Sequence, residues 1–191
     1  KVTNLNPNDA NGFNNLGGTL QEQGHLHEAI EAYKEAISLE PNFPEAYNNM
    51  GIVFQAKSQP NEASWAYKKA LSLKPDNAET HNNLGIIFKA QGRFGDAIEA
   101  FNKAIYFKPN YAEAHNNLGT VLRDQGNQLD AILSYKKAIS LRPNYAEPYY
   151  NIGVILQDQN KPKGAIEAYK KALENNPNYA EAFFNMGISL Y

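Results

Sequence analysis

Apolar residues recur along this chain at helical spacing, in stripes that come two by two. Between residues 112 and 145, Ala114, Leu118, Val121 and Leu122 form one stripe. Leu129, Ile132, Tyr135, Ala138, Ile139 and Leu141 form a second. Gly126 lies between them, where a residue in the left-handed region would end the first helix. Pro143 closes the second, because proline lacks a donor and cannot continue a helix. The pattern predicts a helical hairpin. Small residues such as Gly119, Ala131 and Ala138 predict a close approach of its two backbones.

The hairpin repeats. Pro7, Pro41, Pro75, Pro109, Pro143 and Pro177 are each 34 residues apart, as are Gly17, Gly51, Gly85, Gly119, Gly153 and Gly187. Ala29, Ala63, Ala97, Ala131 and Ala165 keep the interval, and so do Tyr33, Tyr67, Phe101, Tyr135 and Tyr169. No insertion interrupts the series, so the chain is a regular array. A hairpin this short cannot bury both faces alone and has to stack on its neighbours.

In residues 112–145 the motif is His115, Leu118-Gly119, Gly126, Ala131, Tyr135, Ala138 and Pro143. It resembles the tetratricopeptide repeat, and the resemblance covers the whole chain. It implies an all-α, right-handed α-solenoid of helix-turn-helix units, a superhelix. Complete units are expected at 10–43, 44–77, 78–111, 112–145 and 146–179. Residues 1–9 read as the end of a preceding unit, and 180–191 as the first helix of a sixth. His81 and His115 replace the first aromatic in two units. Ser58 and Asn160 replace the inter-helix glycine, and Pro60 and Pro162 predict a stiffer entry into the helices that follow.

Composition narrows the function. Lys plus Arg is 18 and Asp plus Glu is 20, a net charge of −2. That balance opposes a nucleic-acid or anionic-membrane partner, which basic surface would attract. With no cysteine, disulfides and thiolate chemistry are excluded. No run nears the ~18 apolar residues of a membrane span, no leader-like segment opens the chain, and no Asn-x-Ser/Thr triplet occurs. The expectation is an intracellular, cytoplasmic protein. Phosphate-loop and metalloprotease motifs are missing. His81 and His115 stand one repeat apart on helices that should pack about 8–10 Å from each other, while zinc needs nitrogens at about 2 Å. No metal, cofactor or catalytic residue is expected.

Charges recur in columns. Glu45, Glu79, Glu113, Glu147 and Glu181 fall in the first turn of each first helix, where the helix dipole favours acids. Lys68-Lys69, Lys136-Lys137 and Lys170-Lys171 fall towards the end of the second helices, with the dipole as the expected reason. Trp65 and Leu133 take outward positions that carry Glu31, Glu99 and Glu167 in other units. Phe43, Tyr111, Tyr145 and Tyr179 end their units and are expected to pack into the next.

The asparagines stand out. Asn14-Asn15, Asn48-Asn49, Asn82-Asn83 and Asn116-Asn117 recur in mid-helix, followed by Tyr150-Asn151 and Phe184-Asn185. Asparagine is a mediocre helix former because its amide competes for backbone hydrogen bonds. Its recurrence there calls for a reason. A carboxamide offers both an acceptor and donors, matching the N–H and C=O of an extended peptide, or it bonds neighbouring helices to one another. The unbroken column at Asn15, Asn49, Asn83, Asn117, Asn151 and Asn185 resembles the repeat arrays of O-linked N-acetylglucosamine transferases and Spindly-type proteins. By that resemblance these residues contact the backbone of a protein substrate, from the concave face that first helices line in this family. Basic side chains of the family's carboxylate-clamp type are nearly missing, with only Lys89 and Arg123 close by.

The expected function is therefore a non-catalytic interaction scaffold that binds an extended peptide in an asparagine-lined groove. Two alternatives are the substrate-recognition arm of a larger O-linked glycosyltransferase, and a self-assembling module. The second rests on apolar residues near the ends, Val2, Leu5, Phe183, Met186, Leu190 and Tyr191, which would permit head-to-tail association.

Overall fold

The protein is described here by a computed structural model covering residues 8–189. Val2, Leu5, Leu190 and Tyr191, named above for the ends, lie outside the described residues. Eleven helices follow one another, with no strand among the described residues. They are α1 (Ala10–Glu22), α2 (Leu26–Leu39), α3 (Pro44–Ala56), α4 (Pro60–Leu73), α5 (Ala78–Ala90) and α6 (Phe94–Phe107). Then come α7 (Ala112–Asp124), α8 (Gln128–Leu141), α9 (Ala146–Asp158), α10 (Pro162–Asn175) and α11 (Ala180–Ile188). The fold class is all-α, that of the helix-turn-helix α-solenoids.

Two compact units divide the chain between Arg93 and Phe94, inside the expected repeat 78–111. In the first, α1 pairs with α2 and α3 with α4, and α5 packs on α4. In the second, α7 pairs with α8 and α9 with α10, while α6 packs on α7 and α11 on α10. Within each unit a second helix also touches the first helix that follows, as α2 does α3 and α8 does α9.

One contact fixes the hairpin. Tyr33, Tyr67, Tyr135 and Tyr169 are almost wholly buried, each ring lying against a glycine of the paired first helix. A Cβ on Gly51 would come within 2.6 Å of the Tyr67 ring, and one on Gly153 within 2.5 Å of Tyr169. Side chains need more room than that, so glycine here is a packing requirement. Ala29 and Val53 cluster with Tyr33, Ala131 and Ile155 with Tyr135, and Ala165 with Tyr169.

The turns behave as the sequence suggests. Gly24, Gly92 and Gly126 have φ of 80°, 72° and 81°, and Ser58 and Asn160 take the same conformation at 57° and 56° despite carrying a Cβ. Pro60 and Pro162 open α4 and α10 at the first helical position, where the missing N–H costs nothing.

The dipole reading of the lysine pairs needs correction. They are exposed, but no second helix has a base in its last turn. The dipole effect fades within one turn, so it does not explain them. The bases at the helix ends are instead Lys74 and Arg142, at the C-caps of α4 and α8. Lys74 pairs with Glu45 at 3.3 Å and Arg142 pairs with Glu113, so the acid column also ties the start of a first helix to the end of its partner. Burial raises the Glu113 carboxyl, yet its bonds to Arg142 and to backbone outweigh this and hold it below the usual range.

Candidate functional site

Ten asparagines were candidates, and they do not share one environment. Asn48, Asn82, Asn116 and Asn151 are buried, at 7%, 5%, 0% and 5% exposure. Asn15 is exposed, and Asn14, Asn49, Asn83, Asn117 and Asn185 are half-buried. The difference follows from the amphipathic helix: adjacent residues point about 100° apart, so a tandem pair divides between an interface and the surface beside it.

Much of the column bonds to itself within each unit. In the first unit Asn49 Nδ2 donates to Asn14 Oδ1 at 3.1 Å, and Thr80 Oγ1 donates to Asn48 Oδ1 at 2.9 Å. In the second, Asn151 Nδ2 donates to Asn116 Oδ1 at 3.3 Å, and Asn185 Nδ2 donates to the Tyr150 hydroxyl at 3.1 Å. The three amide donors each span 35 residues, joining the second residue of one pair to the first of the preceding pair. First helices of neighbouring repeats are thus tied by carboxamides. These bonds leave capacity to spare, because an amide has two N–H donors and two acceptor sites. After donating to Asn14, Asn49 keeps its carbonyl oxygen and a second N–H. Among the described residues Asn15 and Asn83 have no side-chain hydrogen bond. Asn151 is the opposite case, since its oxygen also accepts from Arg123 Nη1 at 3.0 Å. Asn116 Nδ2 is buried without a partner.

Arg123 is the cation of this face in the second unit. It bonds Asp124 at 3.0 Å as well as Asn151, and is held by these two rather than projecting freely. A ring of tyrosines surrounds the last pairs, with Tyr150 centred 4.9 Å from Tyr179 and 5.8 Å from Tyr169. Desolvation pushes the Tyr169 hydroxyl up to about 12, and those of Tyr33 and Tyr135 as far. None ionises near neutral pH. The buried tyrosine hydroxyls donate instead: Tyr33 to Gln21, Tyr67 to Gln55 and Tyr169 to Gln157, at 3.2, 3.0 and 2.8 Å, and Tyr135 to Thr120 at 3.3 Å.

His81 and His115 stand at the repeat position of the first aromatic and do more than fill it. His81 Nε2 bonds the Pro75 carbonyl at 2.8 Å and His115 Nε2 the Pro109 carbonyl at 3.1 Å. Tyr149 makes the same link to Pro143 at 3.2 Å. A carbonyl can only accept, so each imidazole donates from Nε2. Burial lowers the His115 pKa, with Lys137 adding to the effect against the Pro109 bond. Among the described residues no cluster of His, Asp or Glu could hold a metal ion, and no helix is long and apolar enough to cross a membrane.

With this geometry in hand, comparison with known proteins decides the family. A TPR repeat model matches residues 19–58, 56–92, 85–126 and 119–160, and a tetratricopeptide repeat model matches 146–179. The chain is a tetratricopeptide repeat protein. Among solved structures, MamA is 30% identical, with a TM-score of 0.77 over 86% of this chain and 96% of that one. YrrB, described as a TPR protein with an unusual peptide-binding site, is 24% identical, with a TM-score of 0.74 over 94% and 92%. PilF of Pseudomonas aeruginosa is 21% identical, with a TM-score of 0.83 over 92% and 80%. The last two likenesses show the fold alone. Comparison with curated proteins gave no match. Tetratricopeptide repeat proteins mediate protein–protein interaction, and this chain shares their scaffold.

Proposed function

We propose that this protein is a non-catalytic scaffold that binds an extended, neutral or basic segment of a partner protein along the asparagine-bearing face of its first helices. The observation that carries the reading is the division of labour in the column. Asn48, Asn82, Asn116 and Asn151 are buried, and Asn48, Asn116 and Asn151 bond between first helices. Asn14, Asn15, Asn49 and Asn83 in one unit, and Asn117 and Asn185 in the other, keep surface for a ligand. Amides already tied to a neighbour, as Asn49 is, are held in orientation before a peptide arrives, which lowers the ordering cost of binding. Main-chain groups of an extended segment match carboxamides whatever its side chains are. The acids on the first helices favour a ligand that is not itself acidic.

The test is an NMR titration of side-chain amides, using a peptide obtained by panning a random library against the chain. Resonances of Asn15 and Asn83 are expected to shift on saturation while those of Asn48 and Asn116 stay in place. Binding that leaves all four unmoved refutes the asparagine face as the site.

The same column is what resembles the arm of the O-linked N-acetylglucosamine transferases, so substrate recognition for such an enzyme is the form this binding takes in the second reading. Self-association is favoured by a different observation. Phe183, Phe184 and Ile188 are exposed on α11, a face that suits another helical hairpin.

A further inference from the structure

The chain has one tryptophan, and it is half exposed. Trp65 sits on α4 at a position that carries glutamate in three other repeats, one of them Glu31. Where Glu31 is present it forms an ion pair with Lys34, three residues on, at 2.9 Å. Lys68 stands one repeat beyond Lys34, and with Trp65 in the glutamate's place no acid lies three residues before it. Among the described residues Lys68 has no ion pair; its Nζ lies over the Phe88 ring, 5.6 Å from the centroid. Arg93 stacks on the same ring at 4.4 Å and has a further partner besides, its guanidinium keeping N–H donors to spare. Trp65 is itself braced edge-on by Tyr47, with centroids 5.9 Å apart.

These residues enclose an open pocket of about 320 Å³ lined by Asn61, Ser64, Trp65, Lys68, Gln91 and Arg93. No acid is among the lining residues. Gln91 Nε2 donates to Asn61 Oδ1 at 3.3 Å, which fixes the carboxamides of one wall. The combination is an indole face, two cations carried on one aromatic ring, and amide donors. We infer that this pocket docks an acidic segment of a partner protein, with a carboxylate between Lys68 and Arg93 and an adjacent aromatic side chain against Trp65. The volume sits at the small end of ligand sites, which fits one or two side chains. Two cations beside an aromatic also suit a nucleotide and its phosphate, but the net charge of −2 opposes a polyanionic strand more than a short acidic peptide. The pocket uses none of the asparagine column, so it is a second binding surface, with the opposite charge preference to the first.

Its own tryptophan reports on it. Titration with the acetylated, amidated peptide Glu-Asp-Phe-Glu-Asp is expected to give a saturable blue shift of Trp65 emission. Lys68→Gln, at an exposed position that leaves the fold intact, is expected to weaken that binding roughly three- to tenfold. The matching peptide Gln-Asn-Phe-Gln-Asn is expected to leave the emission unchanged. The inference is overturned by no saturable change with the acidic peptide, by equal binding of the amide peptide, or by a Lys68→Gln variant that binds as well as the parent. A larger, tighter response to an oligothymidylate than to the acidic peptide overturns it too, and assigns the pocket to a single-stranded nucleic acid.

Discussion

Single residues decide whether a hairpin closes. Gly51 and Gly95 both lie inside helices, yet the Tyr67 ring lies against one while open space faces the other. Gly51→Ala is expected to lower stability by about 1–2 kcal/mol, the overpacking of the ring outweighing alanine's better helix propensity. Gly95→Ala is expected to be neutral or stabilising, since a Cβ there meets nothing within 4 Å. Thermal melts of the two variants check the contrast. His115 gives a pH effect whose sign is fixed. Its folded pKa is lowered, so the unfolded chain takes up the proton first. The stability it contributes is therefore complete above the unfolded value of about 6.5 and is lost as pH falls below it. His115→Tyr copies the Tyr149 bond to a proline carbonyl without a titrating ring. Its melting temperature is expected to fall less between pH 7.5 and 5.5 than that of the parent. The slot itself was legible in the sequence, since histidine stands where other repeats have an aromatic. The carbonyl it bonds was not, because the period shows that a ring fits there but not which polar atom faces it.

At the scale of helices, the periodic positions of proline, glycine and alanine announce where each element begins and ends. Pro60 and Pro162 at first helical positions and the left-handed Gly24, Gly92 and Gly126 were readable as punctuation. Links between elements were much less so. Glu45 reads as a dipole residue until Lys74, 29 positions away, is seen to meet it. Both partners are about half exposed, so such a pair adds little stability by itself, and its effect is on how the two helices align. The asparagine column shows the same limit. Its recurrence was plain, but two readings, peptide contact and helix-to-helix bonding, predict the same sequence. The structure places Asn48, Asn116 and Asn151 in the helix-bonding role by burying them, and gives Asn49 one such bond while leaving part of its amide open.

At the scale of the molecule, repetition makes the departures informative. A column of glutamates broken by Trp65 and Leu133 changes the outer surface of the second helices, and a column of asparagines broken by Tyr150 and Phe184 changes the surface offered near the last helices. Function in such a chain resides in which columns continue and which stop, since the scaffold itself is common to the tetratricopeptide repeats. The central claim is that the unbonded asparagines serve a ligand and not the fold. Asn15 and Asn83 are the pair to remove, because neither makes a side-chain hydrogen bond among the described residues. Calorimetric titration of the double variant Asn15→Ala with Asn83→Ala by a panned extended peptide, alongside its thermal melt, measures both quantities at once. The account predicts a loss of binding of about 1–3 kcal/mol, with a melting temperature unchanged or raised by alanine's better helix propensity. Undiminished affinity together with a lowered melting temperature would contradict it.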